Sequence, residues 1–165
     1  MQRIKIVVPI ILLLITQTAF SRTFEYEQFE EKKIFKGRPA QPNLSTHKDA
    51  RTYRTVLKRK SKEGPNFAGH YTIVRIGCGT SCAKIAVVDA ETGRVYFPEN
   101  LHYVFWVGWW HEPYGPEFRL TSRLLRVYGQ VNSEDAPYGI SCFEWTGSEF
   151  KLVHFEARDR GQPPK

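Results

Sequence analysis

Apolar and polar residues alternate over the central and C-terminal parts of the chain, with the period of two that is typical of β-strands. The runs 71–76 and 83–88 are rich in β-branched residues, and 95–97 continues the pattern after a DAETG turn. In that turn Asp89 can bond the backbone that follows it, and Gly93 can adopt the left-handed conformation that closes a short loop. The pattern therefore predicts a β-hairpin.

A second hairpin is predicted near the C-terminus. The sequences SCFEW and FKLVHF, within 141–155, flank the turn residues TGSE at 146–149. Two further runs, 103–107 and 124–128, are compatible with strands. Local hairpins joined by Gly/Pro turns favour an antiparallel sheet, arranged as a meander or as a small barrel-like fold.

The pattern before these strands is helical. Beyond Ser45 and Thr46, either of which can cap a helix, one face collects four apolar residues at three- and four-residue spacing: Ala50, Tyr53, Val56 and Leu57. Gly64, followed by proline, supplies the stop. The chain is thus predicted to be mainly β (α+β), with one N-terminal amphipathic helix against the sheet.

The opposite face of this helix is strongly basic, with seven cations: Lys48, Arg51, Arg54, Lys58, Arg59, Lys60 and Lys62. Such a face can attract phosphate-rich partners or an anionic membrane surface, or it can simply be a solvated outer face. No aromatic residues are interleaved with the charges to stack on bases, so we predict no nucleic-acid partner.

The first residues predict a secretory signal peptide over 1–21. Arg3 and Lys5 precede an apolar run at 6–15, and a small-x-small pattern ends at Ser21. The run is too short to span a bilayer, which requires roughly 20 apolar residues, so we expect no transmembrane segment after cleavage near Arg22. The predicted location is periplasmic or secreted.

The rest of the chain has the length of one domain. We expect an N-terminal arm over 22–44, a single β-rich domain over 45–157 and a loose tail over 158–165. The formal charge of +7 falls to about +5 once the two cations of the signal peptide are removed, a value that fits most envelope settings.

Three cysteines allow three single disulfide pairings. Secreted proteins meet an oxidising environment, so a disulfide is expected. We favour Cys78 with Cys82, because Gly77 and Gly79 let the chain turn tightly enough to bring the two Cα atoms within about 4.4 to 6.8 Å. Cys142 would then be a buried thiol, unless it forms a cross-strand link with one of the other two cysteines.

An alternative reading makes Cys78 and Cys82 a reactive dithiol, or a copper site with His70 as third ligand, since thiolates suit Cu(I). The C-x3-C spacing differs from the redox spacing C-x2-C, and no helix start that would lower a thiol pKa is evident there. No cofactor is therefore predicted. His70 has two interpretations. It is either a functional residue, acting as a general base or a metal ligand, or a half-buried residue that forms a hydrogen bond to the backbone.

A cluster of aromatic residues lies between the two predicted hairpins: Trp106, Trp109, Trp110, His111 and Tyr114. It is either a stacking surface for sugar rings or a partner protein, or core packing under a loop. Glu112 and Glu117 are a candidate glycosidase pair, which depends on a spatial separation that the sequence does not give. No catalytic signature such as G-x-S-x-G or H-E-x-x-H is present.

Five blocks resemble a family of small secreted or periplasmic bacterial proteins of unknown function: GPNFAGHY, GCGTSC, DAETGRVYFP, SRLLRV and CFEWTGSEFKLV. The resemblance covers about 50–155 and implies a compartment, the periplasm, but no reaction. The matching motif positions are Asn66, Phe67, Gly69, His70, Tyr71, Cys78 and Cys82. The family often has an acidic residue where this chain has Thr121, which argues against an acid-dependent role there.

The leading hypothesis is a non-catalytic periplasmic or secreted domain that binds an envelope protein or a cell-wall glycan. The alternative is a thiol-based metal or redox protein using Cys78, Cys82 and His70, and the third is an enzyme acting on envelope polymers. The first predicts an oxidised, inert cysteine pair, with Trp109 and Trp110 on an exposed patch. The oligomeric state stays open.

Overall fold

The computed structural model describes residues 24–106 and 115–159. Within those ranges the chain forms one α-helix, α1 (Arg54–Ser61), and short 3-10 helices at Tyr26–Phe29, Lys48–Ala50 and Glu99–Leu101. The same part of the chain contains the strands β1 (Tyr71–Gly79), β2 (Cys82–Asp89), β3 (Val95–Tyr96), β4 (Tyr103–Phe105), β5 (Gly115–Phe118), β6 (Leu124–Val131), β7 (Gly139–Trp145) and β8 (Phe150–Ala157). The predicted signal peptide and most of the predicted tail lie outside the described residues.

The strands form one antiparallel sheet in the order β1-β2-β4-β6-β7-β8. Two short strands lie off this order. β3 pairs with one end of β2, on the same edge whose other end pairs with β4. β5 pairs with β6 on the same edge as β4. The predicted mainly β fold with a meander of hairpins is confirmed. The sheet is open, because β1 and β8 are its terminal strands and do not pair with each other.

The sheet curves so that its inner face encloses the main core. The ring of Tyr71 on β1 lies 5.3 Å from that of Trp145 on β7, centroid to centroid, and Trp145 also packs against Phe150 at 4.9 Å. Phe67 and Ile85 are fully buried in the same cluster. Contact between β1 and β7 across the core gives the barrel-like shape expected from the sequence without closing the hydrogen-bonded ring.

The helix covers the outer face of β1 and β2. Leu57 and Ala50 are fully buried against Val74 and Ile76. The predicted apolar face is therefore confirmed, but the predicted start is wrong, because α1 begins only at Arg54. The residues before α1 form hydrogen bonds to β3 and within a 3-10 helix instead. The Thr46 hydroxyl accepts a hydrogen bond from the Val95 amide at 2.9 Å, and His47 Nδ1 accepts one from the Asp49 amide at 3.1 Å.

The N-terminal arm lies across the domain and covers the outer face of β6, β7 and β8. Tyr26 is buried there with Leu124 and Cys142. Further along, the arm passes so close to two turns that a Cβ on Gly69 would lie 2.3 Å from the Lys33 carbonyl oxygen, and one on Gly93 would lie 2.2 Å from the Gln41 carbonyl oxygen. Only glycine fits at these two positions, where φ is also positive.

The GPNFAGHY block covers the first part of the free edge of β1, at Tyr71 and Ile73. Asn66 Oδ1 accepts a hydrogen bond from the Ile73 amide at 2.8 Å, and Asn66 Nδ2 donates to the Ile73 carbonyl at 3.3 Å. The backbone amides of Asn66 and Phe67 both donate to the Tyr71 carbonyl. One side chain thus takes the place of a neighbouring strand and satisfies backbone groups that an edge would leave unpaired.

Candidate functional site

The cysteine pair lies at the tip of the β1–β2 hairpin. Cys78 and Cys82 form a disulfide with their Cα atoms 5.2 Å apart, which confirms the predicted pairing. Two residues between them, Gly79 and Ser81, have positive φ values of 141° and 55°, so the glycine-rich turn provides the geometry that the pairing requires. Cys78 is exposed and Cys82 is buried.

His70 lies at the opposite end of the same hairpin. It precedes the nine-residue strand β1, whose far end carries Cys78, and a strand of that length spans about 25 Å. The His70 ring packs on Tyr71 with centroids 4.0 Å apart. The structure therefore does not bring the histidine to the cysteine pair. Among the described residues, no group of three or more His, Cys, Asp or Glu side chains is arranged to hold a metal ion.

Cys142 is a free thiol, 3% exposed, under the N-terminal arm. Burial raises the pKa of this thiol, and the nearby Arg126 only partly offsets the effect. A buried thiol with a raised pKa is a poor nucleophile, because the thiolate is the reactive form.

Only one member of the predicted aromatic surface falls within the described residues. Trp106 is half-buried and packs against the main core, with its ring facing Gly115. The other members, Trp109, Trp110, His111 and Tyr114, lie outside the described residues, as does Glu112, so the stacking surface stays a prediction. Glu117 accepts a hydrogen bond from the Tyr128 hydroxyl at 3.3 Å.

A buried lysine forms a site that the sequence analysis missed. Lys84 is 6% exposed within strand β2, whose other residues are apolar apart from Asp89 at its end. Its Nζ lies 3.1 Å from Asp49 Oδ2 and faces three aromatic rings, with centroids 4.9 Å (Tyr53), 5.3 Å (Phe97) and 5.7 Å (Tyr103) away. The signal that could have revealed it is a single lysine in the run CAKIAVVD, since lysine is almost never fully buried without a partner.

The charges of this cluster keep the lysine protonated. Burial acts to lower the pKa of Lys84, but the hydrogen bond and charge of Asp49 outweigh it and hold the pKa above its ordinary value. The same hydrogen bond lowers the pKa of Asp49. Burial, and then the charge of Lys84, lowers the pKa of the neighbouring His102. A catalytic lysine needs a depressed pKa to act as nucleophile or base, so this arrangement suits a structural role.

An apolar groove opens on the concave face of the sheet beside β8. Its volume is about 470 Å³, and its lining residues are Asn100, Val131, Ala136, Pro137, Ser141, Phe143, Leu152 and Phe155. Two large apolar side chains of β8 are exposed here, Leu152 by 53% and Phe155 by 38%. They share one face because a β-bulge, in which Val153 is the extra residue opposite β7, separates them.

The groove adjoins β8, one of the two terminal strands of the sheet. Among the described residues no strand pairs with the second edge of β8, whereas at the edge of β1 the Asn66 side chain bonds the backbone of Ile73. An edge of this kind presents free amide and carbonyl groups that can pair with another chain. The arrangement can therefore bind an extended polypeptide by backbone hydrogen bonds, with the groove taking up apolar side chains.

Comparisons with known proteins add no relative: no family model, no curated protein and no solved structure matches this chain. Within the described ranges, no helix is long and apolar enough to cross a bilayer.

Proposed function

We propose that this protein is a non-catalytic binding domain of the bacterial envelope, secreted or periplasmic, that binds an extended segment of another protein along β8. The observation that carries the proposal is the free edge of β8 beside a groove with two exposed apolar side chains, Leu152 and Phe155. Exposed apolar patches next to an unpaired strand are typical of interaction sites in proteins that otherwise protect their edges.

The groove favours a protein segment over a glycan. Sugar hydroxyls need many hydrogen-bond partners, but the lining offers only two polar side chains, Asn100 and Ser141, and Ser141 is 5% exposed. An added strand supplies its own backbone hydrogen bonds and places every second side chain towards the groove. The aromatic cluster with Trp109 and Trp110 stays a separate prediction, for sugar rings or a partner protein.

The location outside the cytoplasm is supported by two independent features. One is the signal-peptide pattern at 1–21, and the other is the disulfide between Cys78 and Cys82, since disulfides persist in oxidising compartments. The thiol-based metal or redox alternative is less favoured because its third residue, His70, lies at the far end of the hairpin from the cysteine pair. Counting thiols by mass spectrometry in protein from its native compartment tests it, and an easily reduced pair that takes up copper would restore it.

Site-specific photocrosslinking in the native host tests the proposed binding site. A photoreactive phenylalanine analogue replaces Leu152, and a matched control places it at Arg75, an exposed position on the other terminal strand, β1. We expect position 152, but not position 75, to crosslink to one discrete protein, and the crosslink to map to an extended stretch of that protein. A peptide with the sequence of this stretch should compete with the crosslink, and Phe155→Asp should abolish it. Equal crosslinking from both positions, or none from position 152, would contradict the proposal.

A further inference from the structure

We infer that one partner of the β8 edge is a second copy of this chain, with the two β8 strands paired antiparallel about a two-fold axis. The inference rests on the proposed function, because it names an occupant for the same edge and groove. A two-fold interface uses the same patch on both copies, so the patch must be complementary to itself. The sequence of β8, FKLVHFEA, has this property.

Self-complementarity appears when β8 is written against itself with the axis between Val153 and His154. Leu152 then lies opposite Phe155 of the second copy, so the two exposed apolar side chains cover each other. Lys151 lies opposite Glu156 of the second copy, and both side chains are exposed. By symmetry each of these pairs occurs twice, which gives two apolar and two opposite-charge cross-strand pairs.

The faces of the strand agree with this register. Leu152 and Phe155 are opposite Phe143 and Ser141 of β7, on the groove side. Lys151 is opposite Glu144 and Glu156 is opposite Ile140, on the outer side that the arm partly covers. Residues directly opposite in an antiparallel pair must lie on the same face, and both pairs meet this condition only because the bulge at Val153 shifts the alternation.

The charges on β8 also select one register. A lysine on an exposed edge usually prevents pairing, because its charge would be set against a neighbouring strand. Here Lys151 meets Glu156 of the second copy, but a slip by one residue would place it opposite Phe155 or Ala157 instead and would break all four favourable pairs. Glu156 also lies 2.8 Å from Arg158 of its own chain and is half exposed, so its second oxygen is available to the lysine.

Sedimentation velocity of the mature, oxidised protein from low to high micromolar concentration tests the inference. A single paired edge buries little area, so we expect a reversible, concentration-dependent dimer. Each charge reversal, Lys151→Glu or Glu156→Lys, creates two like-charge pairs and should weaken the dimer by about tenfold or more. The double variant Lys151→Glu/Glu156→Lys should restore it, as should an equimolar mixture of the two single variants.

Arg75→Glu on β1 is the matched control for a change of net charge and should leave the dimer unchanged, with circular dichroism confirming the fold of every variant. A monomer at all concentrations, single reversals without effect, or no recovery in the double variant and the mixture would each overturn the inference. A monomer that still crosslinks a different protein from position 152 would leave the proposed function standing. A monomer with no crosslink would remove both.

Discussion

Replacing Asp49 by asparagine should destabilise the protein far more than replacing its partner Lys84 by methionine. Asparagine keeps the size of the side chain but leaves the buried ammonium of Lys84 without its counter-charge, 3.1 Å away in the native protein. Methionine at position 84 removes the charge that needs a partner and still fills the space between the Tyr53, Phe97 and Tyr103 rings.

The magnitude follows from the exposure of the two partners. Removing one partner of a fully buried ion pair costs about 3 to 5 kcal/mol. The Lys84 side chain is 8% exposed but that of Asp49 is 29% exposed, so water reaches one side of the pair. We therefore expect about 2 kcal/mol for Asp49→Asn, or a fall in Tm of about 6 °C. For Lys84→Met we expect a change within about 1 kcal/mol, and the same value for the double variant.

Urea denaturation at neutral pH, followed by tryptophan fluorescence with the disulfide intact, measures these differences as shifts in midpoint at constant m-value. A second experiment measures the same difference in stability as a function of pH. The pKa of Asp49 is lowered in the folded state, so its contribution is present above the ordinary aspartate pKa of about 3.9 and is lost as pH falls through the folded value. The difference in stability between wild type and Asp49→Asn should thus be present at pH 7 and should close as pH falls below about 4.

The reasoning would be refuted if Asp49→Asn lay within about 0.5 kcal/mol of the wild type, since a charge of such low exposure that loses the carboxylate 3.1 Å away must cost more. It would also be refuted if Lys84→Met cost more than Asp49→Asn. A double variant equal to the sum of the two single changes would show that the residues are not coupled.

Three other predictions concern stability. Asn66→Ala should lower the free energy of unfolding by about 1 kcal/mol in chemical denaturation, because the Ile73 amide and carbonyl lose their hydrogen bonds to the Asn66 side chain. It should also increase aggregation, because the edge of β1 is then exposed at Ile73. Unchanged stability and solubility would contradict this role of Asn66. Gly69→Ala should lower the free energy of unfolding by more than about 3 kcal/mol, because the new Cβ would clash with the N-terminal arm. At Gly77 a Cβ would meet no atom within 4 Å, so Gly77→Ala should lower it by less than about 0.5 kcal/mol. Equal losses for the two variants would argue against the close approach of the arm to Gly69. The free energy of unfolding should fall above about pH 9. Burial raises the pKa of the Cys142 thiol in the folded state, so the thiol loses its proton at lower pH in the unfolded chain than in the folded one. Cys142→Ala should make this fall with pH less steep, and an unchanged slope would exclude the thiol as its cause.

The hairpins could be predicted from the sequence because their determinants are local. Asp89 does bond the backbone that follows it, accepting from the Glu91 amide at 2.8 Å, and Gly93 has φ of 76°. The disulfide was predictable for the same reason, since both cysteines and the glycines that shape their turn lie within a few residues. The strand β5 was missed because Gly115–Phe118 is short and contains a proline.

The site depends on partners far apart in the chain, and local pattern carries no information on these. Asp49 and Lys84 are 35 residues apart, and only the packing of the 3-10 helix Lys48–Ala50 on the sheet brings them together. Whether β8 has a neighbour on its second edge is likewise a property of the whole sheet. The alternation of FKLVHFEA predicts a strand with one buried face, but the bulge that places Leu152 and Phe155 on the same side depends on pairing with β7. His70 was considered as a ligand beside Cys78 because the two are eight residues apart in sequence, but the strand already predicted at 71–76 separates them in space.

The position of the arm has a consequence for the order in which the protein can fold. Phe24 and Tyr26 are among the first described residues to be synthesised, but their partners come late. The Tyr26 carbonyl accepts a hydrogen bond from the hydroxyl of Ser122, 96 residues later, and the Phe24 ring stacks on His154 with centroids 4.7 Å apart. Loops of this length close slowly. The arm must therefore wait, with its aromatic side chains uncovered, until the strands up to β8 have been made, and its docking should be the last step of folding.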